Sequence, residues 1–108
     1  MKEELRIVIE SKQFIEKIVE CSILFPKREY VFKNKIIETS FQFLEDFYLY
    51  NYKKEEIENL FKDLAMLNYY VEYAYKKRIL SHKLNKEFSN QLIILLKLTY
   101  GLKRKYVS

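Results

Sequence analysis

Few residues of this chain could do chemistry, and their spacing decides against most of the reactions their types suggest. The single histidine, His82, follows Ser81, a pairing of base and hydroxyl, but no acid stands close enough in sequence to orient the ring for nucleophilic catalysis. Di-iron helical bundles draw a Glu from each of two helices and a Glu-x-x-His from each of the others, and one histidine cannot supply that set. Glu45 and Asp46 are adjacent carboxylates; neighbours on a helix do not face each other, so the two read as a solvated edge rather than an acid/base pair. The lone glycine, Gly101, offers no phosphate-cradling loop. Cys21 is the only cysteine and lies within an apolar stripe with no second ligand near it, so it reads as a small core residue. No enzyme, metal or cofactor is expected.

What remains is cationic. The net charge is +5 with a pI near 9.2. Residues 1–52 carry eight basic and nine acidic groups and residues 53–108 carry twelve and six, so the whole excess lies in the second half. From residue 76 onward there are nine basic groups and one acid, Glu87. A basic balance suits an anionic partner such as nucleic acid. A/T-rich codons would also raise Lys, Asn, Ile and Tyr, but they do not explain where along the chain the lysines gather.

The elements that must position these groups are helical. One Gly and one Pro are too few for a fold of many short strands, and 49% hydrophobic with 32% charged residues is a globular balance. The proline stands in Phe25, Pro26, Lys27, Arg28 and separates two periodic segments. Ile7, Ser11, Phe14, Ile18, Cys21 and Phe25 form the first helical stripe; Ile36, Ser40, Phe43, Phe47 and Tyr50 the second. Ile57, Leu60, Leu64, Leu67, Val71 and Ala74 form the third, and Leu84, Phe88, Leu92, Leu95, Thr99 and Leu102 the fourth. Asn51 is expected to end helix two in the left-handed conformation. Glu55, Glu56 and Glu58 suit the start of helix three, Lys76, Lys77 and Arg78 its last turn, and Ser81 the N-cap of helix four. The sequence thus predicts an all-α fold: one domain over residues 1–108, an antiparallel up-down-up-down four-helix bundle with helices at about 4–25, 30–50, 55–79 and 82–105, roughly 30 Å long.

Such a topology would bring the first and third turns to one end. Lys27, Arg28, Lys33 and Lys35 would then meet Lys76, Lys77, Arg78, Lys83 and Lys86 in a surface for nucleic acid or another anionic partner. The opposite end is mixed in sign. The stretch Leu92 to Leu98 is apolar almost all round, and a helix apolar all round is buried all round. Self-association is therefore expected, with Ile93, Ile94 and Leu98 at the interface between copies. Tyr69, Tyr70, Tyr73 and Tyr75 could stack on bases, but aromatics on a helix flanked by helices are expected to pack. The run Leu92 to Leu96 is far short of a membrane span and is followed by Lys97. Met1 leads into Lys2, Glu3 and Glu4 rather than an apolar segment, so a cytoplasmic location is expected.

The order of these features resembles a known family. Phe25, Pro26 and Lys27, then Phe32, Lys35 and Ile36, then Leu44 and Glu45, then the Ile79, Leu80, Ser81 turn and Gly101, are similar to the accessory variability determinant proteins of diversity-generating retroelements, over roughly Phe14 to Arg104. The pattern is also similar to the four-helix proteins encoded in intervening sequences of 23S ribosomal RNA genes. The chain departs from the first family at Lys33, Tyr50 and Leu102, positions that bear on packing between subunits. The resemblance implies a barrel-like homopentamer with a basic surface. It would associate with the retroelement's reverse transcriptase and with RNA or cDNA during mutagenic retrohoming, without catalysis of its own. The alternative is an intervening-sequence-type bundle or helical adaptor of unknown role with no specific nucleic-acid function.

Overall fold

The computed structural model describes residues 2–53 and 57–107. These form α1 (Lys2–Ser22), a short 3-10 turn (Lys27–Glu29), α2 (Tyr30–Lys53), α3 (Ile57–Lys76) and α4 (His82–Val107), and no strand occurs among the described residues. α1 packs on α2 and α4, and α3 packs on the same two, while the diagonal pairs do not meet. This is a square four-helix bundle. It measures 45 × 22 × 19 Å, two helix diameters in each cross-section. It exceeds the expected 30 Å because α4 alone, at 26 residues, is about 39 Å long.

The stripes read from the sequence form the core, except that Cys21, Ile57 and Leu84 are half-buried at its margin. Ile7, Phe14, Ile18, Ile36, Phe43, Phe47, Leu60, Leu67, Val71, Phe88, Leu95 and Leu102 are all but sealed from solvent. Phe14 and Phe88 meet edge to face at 5.2 Å, joining α1 to α4. Hydroxyls in this interior are satisfied within their own helices: Ser11 donates to the Ile7 carbonyl, Ser40 to Ile36 and Thr99 to Leu95. None of them needs a partner across the core. Cys21 is half-buried and packs against the core, and burial pushes its thiol up to about 11.

Helix ends depart from expectation in three places. α1 stops at Ser22 rather than at Phe25, because the residue before a proline is driven out of the helical region and two turn residues precede it. The Ser22 hydroxyl donates to the Val19 carbonyl, and Leu24 and Phe25 close turns onto Cys21 and Ser22. Asn51 does not terminate α2, which continues in helical conformation to Lys53. Lys54, Glu55 and Glu56, expected at the turn and the start of helix three, lie outside the described residues.

α3 ends at Lys76, so Lys77 and Arg78 belong to the turn and not to the last helical turn. Ile79 donates to the Ala74 carbonyl and Arg78 to Tyr75, the paired bonds of a Schellman cap, with Arg78 at φ 61° in the left-handed position. The expected N-cap is present: the Leu84 amide donates to Ser81 Oγ at 3.1 Å.

Candidate nucleic-acid interface

The basic residues singled out from the sequence sit on the elements that meet around Pro26. Phe25 of the α1–α2 connection packs on Phe32 at 5.8 Å, and Phe32 in turn stacks on Tyr73 of α3 at 4.8 Å, so the start of α2 meets the last turns of α3. Lys27 and Arg28 lie exposed in the 3-10 turn. The next residue, Glu29, accepts a hydrogen bond from the Tyr73 hydroxyl of α3 at 3.1 Å. Lys77 Nζ stands 5.7 Å from the centre of the Tyr73 ring. Tyr73 thus links the first basic turn to the second.

Lys76, Lys77, Arg78, Lys83 and Lys86 are exposed, as is Lys35, while Lys33 is half-buried. Among the described residues, none of these nine cations is held in a salt bridge. Three nearby acids have partners of their own. Glu29 receives Tyr73, Glu72 receives the Asn68 amide at 3.0 Å, and Glu87 receives Lys17 at 2.6 Å. The bond from Lys17 holds the Glu87 carboxyl below its ordinary range, assisted by the charges of Lys17 and Lys83. At the other end the pattern reverses: Lys103 pairs with Glu58 and Lys105 with Glu4. Lys103 and Lys105 are thus matched by acids, whereas none of the nine cations above is.

Arg78 carries a conformational cost as well. A non-glycine residue at a C-terminal left-handed position is strained, and glycine would serve the turn better. Strain of this kind gathers at functional positions. Here the strained side chain is a cation in the middle of the unpaired set.

No family model, curated protein or solved structure matches this chain.

The residues expected to meet another copy divide between two surfaces. Ile93 is 49% exposed and, with Leu96 and Tyr100, borders an open groove of about 400 Å³ between α3 and α4. Ile94 and Leu98 are half-buried and line a different hollow beside Glu3 and Arg6 of α1. Leu96, part of the apolar stretch but not placed at the interface, and Tyr100, outside it, both follow Ile93 at helical spacing.

Asp63 was also missed. It is 4% exposed in α3 and faces Asp46 of α2. Burial, then the hydrogen bond and charge of Asp46, push its carboxyl up to about 8. Asp46, expected in a solvated edge, is half-buried and accepts a bond from Gln42 at 2.9 Å. Position 63 follows Leu60 by three and precedes Leu67 by four, so helical spacing alone puts it on the buried face. Among the described residues, no cluster of three or more His, Cys, Asp or Glu could hold a metal.

Proposed function

We propose that this chain is a non-catalytic, nucleic-acid-binding accessory protein that works beside a reverse transcriptase, as its resemblance to the accessory proteins of diversity-generating retroelements implies. The observation that carries this reading is the set of nine cations with no salt bridge among the described residues, set against Lys103 and Lys105, which are paired with Glu58 and Glu4. Polymers of phosphate are the partners such a surface attracts. In this reading the helices run up-down-up-down. That order is supported by pairs joining the start of one helix to the end of its neighbour: Glu4 with Lys105, Glu29 with Tyr73, and Phe61 with Tyr100.

Copies of the bundle assemble into a ring, a homopentamer by the same resemblance, through the apolar surface of α4 around Ile93 and Leu96. The ring repeats the basic end several times, which multiplies affinity for a long strand. Ile23 and Leu24, 75% and 86% exposed beside the basic turn, give the polymerase an apolar hold. The same pair would serve a helical adaptor without a nucleic-acid role, and that reading takes over if binding is absent. The protein acts in the cytoplasm; no helix among the described residues is long and apolar enough to cross a membrane.

The test is fluorescence anisotropy with a labelled oligonucleotide over a range of salt. Binding should be tight at low salt and weaken steeply as salt rises. With about four phosphate contacts per site on a single strand, log affinity against log salt should fall with a slope of roughly −3. Charge reversal of Lys76, Lys77 and Arg78 should remove most of the binding, while reversal of exposed Lys2, Lys62 and Lys97 should remove little. Equal loss from both triple variants would reduce the effect to net charge and overturn the one-ended surface.

A further inference from the structure

Tyr69 is 56% exposed on the outer side of α3, where a bundle core makes no use of a ring. Its inner side nevertheless has ring neighbours. It contacts Tyr70 at 5.9 Å and Tyr73 at 6.5 Å between ring centres, and those two half-buried rings pack on Phe32 at 6.1 and 4.8 Å. Phe32 is buried, so the exposed ring is braced by the core through two intermediates.

Tyr69, Tyr73, Lys76 and Lys77 border one shallow hollow of about 160 Å³, together with Glu72. Lys76 stands seven residues beyond Tyr69, two turns on the same face and about 10 Å along the axis. Glu72 is hydrogen-bonded by Asn68 one turn back, so its carboxylate is already engaged. The hollow therefore joins an exposed aromatic face, braced from behind by two rings, to two cations that no acid pairs among the described residues. Charge alone would need only the lysines.

We propose that this hollow is a single-strand nucleic-acid subsite, in which an unpaired base stacks on Tyr69 while the adjoining phosphates meet Lys76 and Lys77. The assignment rests on the nucleic-acid reading above and sharpens it. A base in a duplex has both faces covered by its neighbours, whereas a base in a single strand can leave the stack and lie on an aromatic ring. Every base has such a face, so the subsite tolerates sequence. It prefers single strands to duplexes.

The experiment measures affinities of the full-length protein for a short labelled oligothymidylate, for a duplex of equal length and for inorganic polyphosphate, which has charge but no bases. Tyr69→Ala should weaken oligothymidylate binding roughly tenfold, the size of one base–aromatic stack. Duplex and polyphosphate affinities should move less than about twofold, and Tyr69→Phe, which keeps the ring, should bind as the parent does. Circular dichroism checks that helicity is retained in each variant. Equal weakening toward all three probes would make Tyr69 a support for the lysines and overturn the stacking subsite, as would an unchanged oligothymidylate affinity in Tyr69→Ala. If Lys76, Lys77 and Arg78 reversed together abolish binding while Tyr69→Ala has no effect, only the subsite falls. If the triple reversal also has no effect, the nucleic-acid reading falls with it.

Discussion

The Tyr73 hydroxyl donates to Glu29 Oε1 across 3.1 Å, joining residues 44 apart in sequence. On its other side the Tyr73 ring stacks on Phe32 at 4.8 Å. One side chain therefore connects the end of α3, the 3-10 turn and the start of α2, and Lys77 lies over it. The 3-10 turn that carries Lys27 and Arg28 is thereby tied to the helix that ends in Lys76. The bond to Glu29, with some burial, raises the proton affinity of the phenol, so Tyr73 stays a donor throughout the neutral range.

Tyr73→Phe preserves the stack and deletes that bond. It should cost about 0.5–1.5 kcal/mol, the usual worth of one net hydrogen bond, and lower the thermal midpoint by several degrees. Thermal unfolding followed by circular dichroism measures this. An unchanged midpoint would mean that Glu29 is solvated rather than bound.

Arg78→Gly should do the opposite to stability. Relief of a left-handed non-glycine residue is worth about 1 kcal/mol, and the Schellman bonds from Arg78 and Ile79 are backbone bonds that glycine retains. The variant should melt higher than the parent and bind oligonucleotide more weakly. A gain in both stability and affinity would remove Arg78 from the binding surface.

Asp63 gives the bundle a dependence on pH. Its folded-state carboxyl titrates near 8, well above its ordinary 3.8, so between these values the folded chain holds a proton that the unfolded chain has released. Stability from this group is therefore fully present below about pH 4, falls as pH rises and levels off above about pH 8. Asp63→Asn cannot ionise and can still donate to Asp46. It should be more stable than the parent at pH 8 and near parity at pH 4, because the folded parent must either keep a proton the unfolded chain has released or bury the charge. Urea titrations at the two pH values decide it; a constant difference between them would show that Asp63 does not carry the dependence.

Ile93→Glu and Leu96→Glu test the apolar side of α4. Both residues are exposed in the single chain, at 49% and 37%, so each substitution should reduce oligomer mass in light scattering while leaving helicity near the parent value. Leu95→Ala, one position away and 1% exposed, should instead cost about 2–5 kcal/mol of folding stability. A parent protein that scatters as a 13.3 kDa monomer would show that the groove between α3 and α4 serves something other than a second copy.

The four helices and their buried stripes were determined by the sequence, because helical periodicity is local: each of Leu60, Leu64, Leu67, Val71 and Ala74 marks the same face whatever the rest of the chain does. So was the Ser81 cap, a bond spanning three residues. The Asp63 position was equally legible, since it falls between Leu60 and Leu67, yet its partner Asp46 comes from another helix and could not be assigned by spacing. Tertiary structure decided which surplus apolar residues face outward. Ile93 and Ile94 are adjacent and alike in type, and only the placement of α1 and α3 beside α4 leaves the first exposed and half-buries the second. It also decided which charges are matched, because Lys17–Glu87, Lys103–Glu58 and Tyr73–Glu29 each join separate elements. Such pairings depend on axial register between helices, and that register is set by how the side chains of two surfaces interlock rather than by the period of either one.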